Sequence, residues 1–219
     1  MLYIALIGDM IDSKDLPNRS EFQQQLKNCL AQVNITYQMN LASKFSITLG
    51  DEFQGLLLPD APVFHIIDDI NRSMEGVSLR FGIGLGEIVT DIDPEISLGA
   101  DGSSYWYARE AINYIHQKND YGNTQLAVRM EDKAIEVVVN SLLAASEAIK
   151  ASWRESQLAL LNALLELGIY EEQFEQQTLS QYLILTPSAL SKRLKSSSIK
   201  VYLRARKEAL KLLQVAMEK

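Results

Sequence analysis

The apolar residues of this chain recur with two different periods, and the switches between them mark its elements. Leu2 to Ile7 is an unbroken apolar run that stops at Gly8. Asp9 and Asp12 follow it, the pattern of a buried strand ending in acid. Phe22, Leu26, Cys29, Leu30 and Val33 then recur at helical spacing up to about Tyr37, and Pro17 suits the first turn of that helix. Over residues 45–58 the period drops to two. Phe45, Ile47 and Leu49 alternate with polar residues, Gly50-Asp51-Glu52 forms a turn, and Leu56 to Leu58 return as the second strand of a hairpin. A second helix runs through Val63, Ile66, Ile67 and Ile70 to Met74. In the strand 77–88, Leu79, Phe81, Ile83 and Leu85 share one face. Gly82, Gly84 and Gly86 share the other, where bare backbone admits a close neighbour. Residues 91–104 read as an exposed acidic loop, a third helix spans about 105–116, and 124–128 is a short final strand.

The order strand, helix, hairpin, helix, strand, helix, strand describes an α+β unit. It predicts a ferredoxin-like or palm antiparallel sheet with helices on one face. In that layout the first strand and the hairpin are central neighbours, and Asp9 and Asp51 lie side by side. Beyond this unit the period is helical throughout. Residues 131–152 form a connector helix, and 158–167 form another helix that stops at Gly168. Residues 178–194 give two short amphipathic helices around a turn at Leu185-Thr186-Pro187, a helix-turn-helix pattern. A basic amphipathic helix closes the chain. The predicted organisation is therefore an α+β domain over 1–130, a connector over 131–152, and an all-α helix-turn-helix domain over 153–219.

Charge sharpens that division. The chain carries a net charge of −7, yet residues 178–219 carry +7 and the preceding residues −14. An acidic body with a basic terminal segment points to different partners for the two parts. Cys29 is the single cysteine, so no internal disulfide forms; its helical position makes it a buried filler. No basic residue precedes the first apolar run, and no run reaches the roughly 18 apolar residues of a membrane span. A cytoplasmic, soluble protein without a membrane partner is expected.

Acids at the ends of adjacent buried strands are costly unless neutralised, and a divalent cation, Mg2+ or Mn2+, is the usual partner. Asp9 and Asp51 are the leading candidate ligands, with Asp12 and Glu52 beside them. The competing reading makes these residues turn-forming and helix-capping acids. In the terminal segment, Ser188, Ser191, Lys192, Arg193 and Lys195 belong to the second helix of the helix-turn-helix, placed to meet DNA, with Arg204, Arg206 and Lys207 on phosphates. Here the competing reading is a helical packing module with a solvated basic face. The connector is also a candidate for pairing with its copy in a homodimer.

These residues carry a resemblance. GDMIDSK, LGDEF, RFGIGLGEI and AREAI together resemble the catalytic fold of class III nucleotidyl cyclases, relatives of the GGDEF diguanylate cyclases. The resemblance implies that Asp9 and Asp51 bind metal and that a nucleotide is the ligand. It places the phosphates at the loop 12–14, including Ser13 and Lys14, and at Arg109; without it, Arg109 reads as the partner of Glu110 or Asn113 on its own helix. Two positions depart from the cyclase pattern. Ile47 stands where cyclases usually read the base with Lys, and Tyr105 stands where an Asn stabilises the transition state. The resemblance therefore implies metal and nucleotide binding more strongly than cyclisation. Over its full length the chain is similar to the SatD family, bacterial proteins linked to secretion and acid tolerance in streptococci. Two functions follow as expectations: a DNA-binding regulator whose cyclase-like domain senses a nucleotide or metal, or an enzyme acting on a nucleoside triphosphate with a regulatory helix-turn-helix.

Overall fold

In the computed structural model, residues 1–12, 18–117, 122 and 124–218 are described. The apolar run at the start of the chain becomes β1 (Leu2–Met10), and its neighbours follow from their alternation. The hairpin is β2 (Leu41–Leu49) and β3 (Glu52–Leu57), the glycine-rich strand is β4 (Leu79–Glu87), and the short last strand is β5 (Leu126–Arg129). The sheet order is β2-β3-β1-β4-β5. Its first four strands are antiparallel throughout, so β1 pairs with both the hairpin and β4, as expected of a ferredoxin-like core. The fifth strand corrects the expected all-antiparallel sheet. β5 lies parallel to β4, with Phe81 opposite Leu126, and the sheet is mixed.

The reason for that change is α3 (Ser103–His116), which crosses from β4 to β5 over the opposite face of the sheet. Helices α1 (Arg19–Thr36) and α2 (Val63–Ser73) cover the face carrying Ile4, Leu6, Phe53, Phe81 and Ile83. Helix α3 instead packs on Ala5, Ile7 and Leu56, so helices lie on both faces and not one. The glycine face of β4 makes this possible. A Cβ built on Gly84 meets Ser104 O at 2.0 Å, and one on Gly82 meets Ala108 O at 2.4 Å. Helix backbone rests directly on strand backbone.

Helices α4 (Lys133–Ala151), α5 (Glu155–Glu166), α6 (Gln176–Tyr182), α7 (Pro187–Ser197) and α8 (Ile199–Met217) complete the chain. Val139 and Leu143 of α4, with Ala209 and Leu213 of α8, join the same apolar core as the α1–α2 face of the sheet. A second core gathers α5, α6, α7 and the first turns of α8 around Leu161, Leu164, Leu190 and Tyr202. Cys29 is buried beside Ile70, as its helical position predicts. The helix start expected at Pro17 lies outside the described residues.

Candidate functional site

The register of the central strands puts three charged residues in one row. Asp9 on β1 lies opposite Glu52 on β3 and opposite Arg80 on β4. Directly paired residues point to the same side of a sheet, and here that side is the one covered by α3. Helix α3 supplies two more charges, Arg109 and His116, seven residues and so about two turns apart. The result is a half-open cluster at the strand ends. The Asp9, Glu52 and Arg80 side chains are 14%, 16% and 17% exposed, whereas Arg109 and His116 reach toward solvent.

The contacts within it are specific. Arg80 Nη2 donates to Asp9 Oδ2 at 2.7 Å, and His116 Nε2 lies 3.4 Å from the same oxygen. Arg109 grips Glu52 with both Nη groups, at 2.5 and 2.8 Å, and Thr48 Oγ1 donates to Glu52 Oε1 at 2.9 Å. The two carboxyls respond differently. Burial pushes Asp9 above the usual aspartate range, and the charge and hydrogen bond of Arg80 do not fully offset it; Asp51 nearby adds to the upward push. Hydrogen bonding from Arg109 holds Glu52 below the glutamate range against the opposing effect of burial. Glu52 is thus held down by its partner, whereas Asp9 stays raised despite its contacts with Arg80 and His116.

Asp51 sits in the hairpin turn one residue from the row, where its carbonyl accepts from Met10 N at 3.3 Å. Asp9 therefore faces Glu52 across the strands, with Asp51 beside the pair. Asp12 is exposed in the turn after β1 with a left-handed φ of 53°. Ser13 and Lys14 lie outside the described residues. Ile47 is half-buried against the core and Tyr105 is buried, so neither offers an ionic group to the cluster.

The donor set bears on the expected metal. Among the described residues, no three His, Cys, Asp or Glu side chains converge as a ready cation cage. Asp9 and Asp51 nevertheless bring together two hard carboxylates: burial pushes Asp9 upward, and Asp51 is near enough for its charge to add to that push. That set fits a cation such as Mg2+, which binds through one or two carboxylates and takes its remaining ligands from water and phosphate. Glu52 fits less well, because ligating a metal means giving up Arg109.

Arg80 is the member of the cluster that the sequence does not single out, and His116 is one that its helical position alone makes structural or exposed. The signal for Arg80 is a lone cation in an apolar and glycine strand, two residues before the glycine face begins. For His116 it is the seven-residue spacing from Arg109, which places both on one side of α3. Arg109 pairs not with Glu110 or Asn113 but with a residue 57 positions away.

Later in the chain, α6 and α7 are joined by residues 183–186. Thr186 caps α7 by accepting from Ala189 N, and Pro187 takes its first turn. Ser188, Ser191, Lys192 and Lys195 are exposed and Arg193 is half-buried. The expected phosphate role of Arg206 is corrected. Arg206 is 1% exposed and bonded to Glu147, because its guanidinium compensates a buried acid cluster. Arg204 and Lys207 face Glu172 and Glu171 at 3.7 and 3.4 Å. No helix among the described residues is long and apolar enough to cross a membrane.

Comparison with known proteins adds three findings. Residues 3–213 match the model of the SatD family. No curated protein matches the sequence. Among solved structures, a bacterial light-regulated adenylyl cyclase matches with 12% identity and a TM-score of 0.41, over 58% of this chain and 43% of that one. The catalytic core of a rhodopsin-guanylyl cyclase with converted specificity, in complex with ATPalphaS, matches with 12% identity and a TM-score of 0.35, over 50% of this chain and 71% of that one. This chain thus spans less than half the length of the first. At this level of likeness neither structure carries an argument about activity.

Proposed function

The chain belongs to the SatD family, and from that premise we propose that the cluster on the α3 face binds a nucleotide together with a divalent cation. Asp9 and Asp51 hold the cation, Mg2+ or Mn2+, and Arg109, with Ser13 and Lys14, meets the phosphates. The cation, when bound, neutralises phosphate and carboxylate charge together. One observation carries the reading. Asp9 is a partly buried acid whose own ion pair leaves it under-compensated, set among Asp51, Arg80, Arg109 and His116 at the open end of the central strands. A partly buried acid that stays perturbed beside specific charge partners supports a site reading. The apolar packing of Ile47 and the burial of Tyr105 favour binding and sensing over cyclisation.

The test is a thermal-shift series with Mg2+ or Mn2+ and each nucleoside triphosphate, on the wild type and on Asp9→Asn, followed by chromatography for product. Metal-dependent stabilisation by a nucleotide that disappears in Asp9→Asn is the expected result. A product would move the protein to the enzyme reading. No shift with any combination would overturn the site.

A second reading concerns α7. Ser188, Ser191, Lys192 and Lys195 lie exposed on a capped helix that follows a short turn, and Lys192, Arg193 and Lys195 form no ion pair among the described residues. This supports DNA binding through α7, with the nucleotide site as its sensor. Duplex binding by fluorescence anisotropy at two salt concentrations tests it. Lys192→Ala with Lys195→Ala is expected to weaken binding and to reduce the salt slope by about 2. An unchanged slope removes α7 from the interface.

A further inference from the structure

The cluster on the α3 face does not end at Arg109. The same side chain lines an open cleft of about 510 Å³, whose other walls include Ile7 and Gln54 of the sheet and Tyr105, Trp106 and Asn113 of α3. That volume lies within the range of about 300–1,000 Å³ typical of small-molecule sites. Glu110, the acid at this rim, is drawn toward Arg129 at 3.4 Å, and Arg109, paired with Glu52, is the cation of the cleft lining.

Two features of the cleft lack an internal explanation. Trp106 is 59% exposed, yet its indole is held in place. Its Nε1 donates to Asp101 Oδ1 at 2.7 Å, an oxygen that also accepts from Gly102 N at 2.9 Å. A tryptophan that serves packing is buried; this one presents a fixed aromatic surface to solvent. Tyr105 is the opposite case. It is only 7% exposed, and its hydroxyl is served by no more than a marginal contact to the Ser97 side chain. A buried hydroxyl without a proper partner is costly, and a ligand in the cleft supplies one. Gln54 keeps its amide carbonyl available, since its Nε2 is the group bonded to Ser97 O at 2.8 Å.

We propose that this cleft is the subsite for a planar heteroaromatic ring joined to a phosphate chain, the base end of a nucleotide, with Trp106 as its stacking surface. The proposal rests on the phosphate and metal reading of the adjoining cluster. Arg109 joins the two halves, because it faces both Glu52 and the cleft. An aromatic ring stacked on Trp106 gains affinity whatever the base, and the polar edges of Gln54, Asn113 and Tyr105 discriminate among bases.

The experiment uses the full chain with Mg2+ and compares inorganic triphosphate, ATP and GTP by calorimetry and by tryptophan fluorescence. The expected result is that triphosphate binds without changing the emission, while a nucleotide binds about tenfold tighter and quenches it. Trp106→Ala, a change at an exposed position, removes the quench and lowers nucleotide affinity to that of triphosphate. Its triphosphate affinity is unchanged. Tyr105→Phe alters the ratio of ATP to GTP affinity and leaves triphosphate binding as it was. Nucleotides that bind no tighter than triphosphate, with no quench, would overturn the subsite and leave the phosphate site standing. If neither ligand binds, the phosphate site and the subsite fall together. A dimeric chain in which Trp106 is shielded from acrylamide, and stays so with ligand present, means that a second copy fills the cleft, and this too overturns the proposal.

Discussion

Asp9 shows how a single residue exposes a conflict between folding and function. Its carboxyl is raised by burial, with Asp51 pushing the same way, and Arg80 and His116 recover only part of the loss. A raised carboxyl binds its proton more tightly in the folded chain than in the unfolded one. Stability from this group is therefore highest at low pH, and it declines as pH rises from the unfolded pKa through the raised one. At neutral pH Asp9 is a net cost. Asp9→Asn keeps the shape and removes the charge, so it is expected to melt no lower than wild type at pH 7 without metal. Its advantage should shrink as pH falls from 7 and wild-type Asp9 takes up its proton. A melting series across that range checks both parts, and a clear loss of stability at pH 7 would make Asp9 a structural ion-pair partner. Glu52 behaves in the opposite sense. Its contribution is present above the ordinary glutamate range and is lost on acidification below it, because Arg109 holds the carboxyl down.

Among the elements, two joints decide how the charged cluster and α7 are presented. The first is the seat of α3 on β4. Gly84 lies so close to the Ser104 carbonyl that any side chain must displace the helix backbone. Gly84→Ala is expected to cost about 1–3 kcal/mol and to loosen the Arg109–Glu52 contact, measurable by denaturant unfolding together with nucleotide binding. The second joint is the turn between α6 and α7. Ile184 occupies a left-handed conformation at φ 52° with 92% of its surface exposed. The turn brings Leu185 N onto Ser180 O at 2.9 Å, so the conformation is imposed by helix termination and not by packing of the isoleucine. Ile184→Gly releases that strain and loses little contact, so a gain of about 1 kcal/mol is expected in chemical denaturation. No gain would mean that the exposed isoleucine has contacts elsewhere.

At the scale of the whole molecule, one buried acid ties α2 to the terminal helices beside their shared apolar core. Asp68 of α2 is fully buried and accepts from Lys150 of α4 at 2.8 Å, from Tyr170 at 2.6 Å and from Tyr202 of α8 at 2.6 Å. Arg206, buried beside it, adds a second positive charge and reaches Glu147. Burial alone drives the carboxyl upward, but Lys150 and Arg206 more than offset it and leave Asp68 at about 2. The sign is that of a depressed acid. The stability it contributes is present above the unfolded aspartate value, near 3.8, and fades as pH falls toward about 2. Asp68→Ala strands Lys150 and Arg206 without their counter-charge, and a loss of about 3–5 kcal/mol is expected. Because the partners come from α4, α8 and the segment before α6, that variant should loosen the terminal helices from the sheet. Proteolysis near residue 150 would detect this. If only the sheet unfolds, the network is local to α2.

Local pattern determined a large share of this protein. Strand alternation, the glycine face of β4 and the hairpin turn each depend on neighbours within a few residues, and those elements stand where the sequence places them. The acids follow in part: β1 runs on through Gly8 to Met10 where the apolar run suggested a stop, while the hairpin does turn at Gly50, and Asp9 and Asp51 reach the same end of the sheet once β1 and β3 pair. Tertiary structure alone decided the partners. Arg109 has Glu110 next to it in sequence, yet it meets Glu52, because α3 crosses to the far face of the sheet and carries the guanidinium over β3. Arg206 reads as a surface cation on an amphipathic helix, yet it is buried, because Glu147 and Asp68 are held beside it by other helices. The parallel pairing of β5 follows from the same crossing of α3. Side-chain period reports which face of an element is apolar, and it carries no information about which distant charge that face will meet. That is fixed only when separate elements close on one another and each buried charge must find its counter-charge.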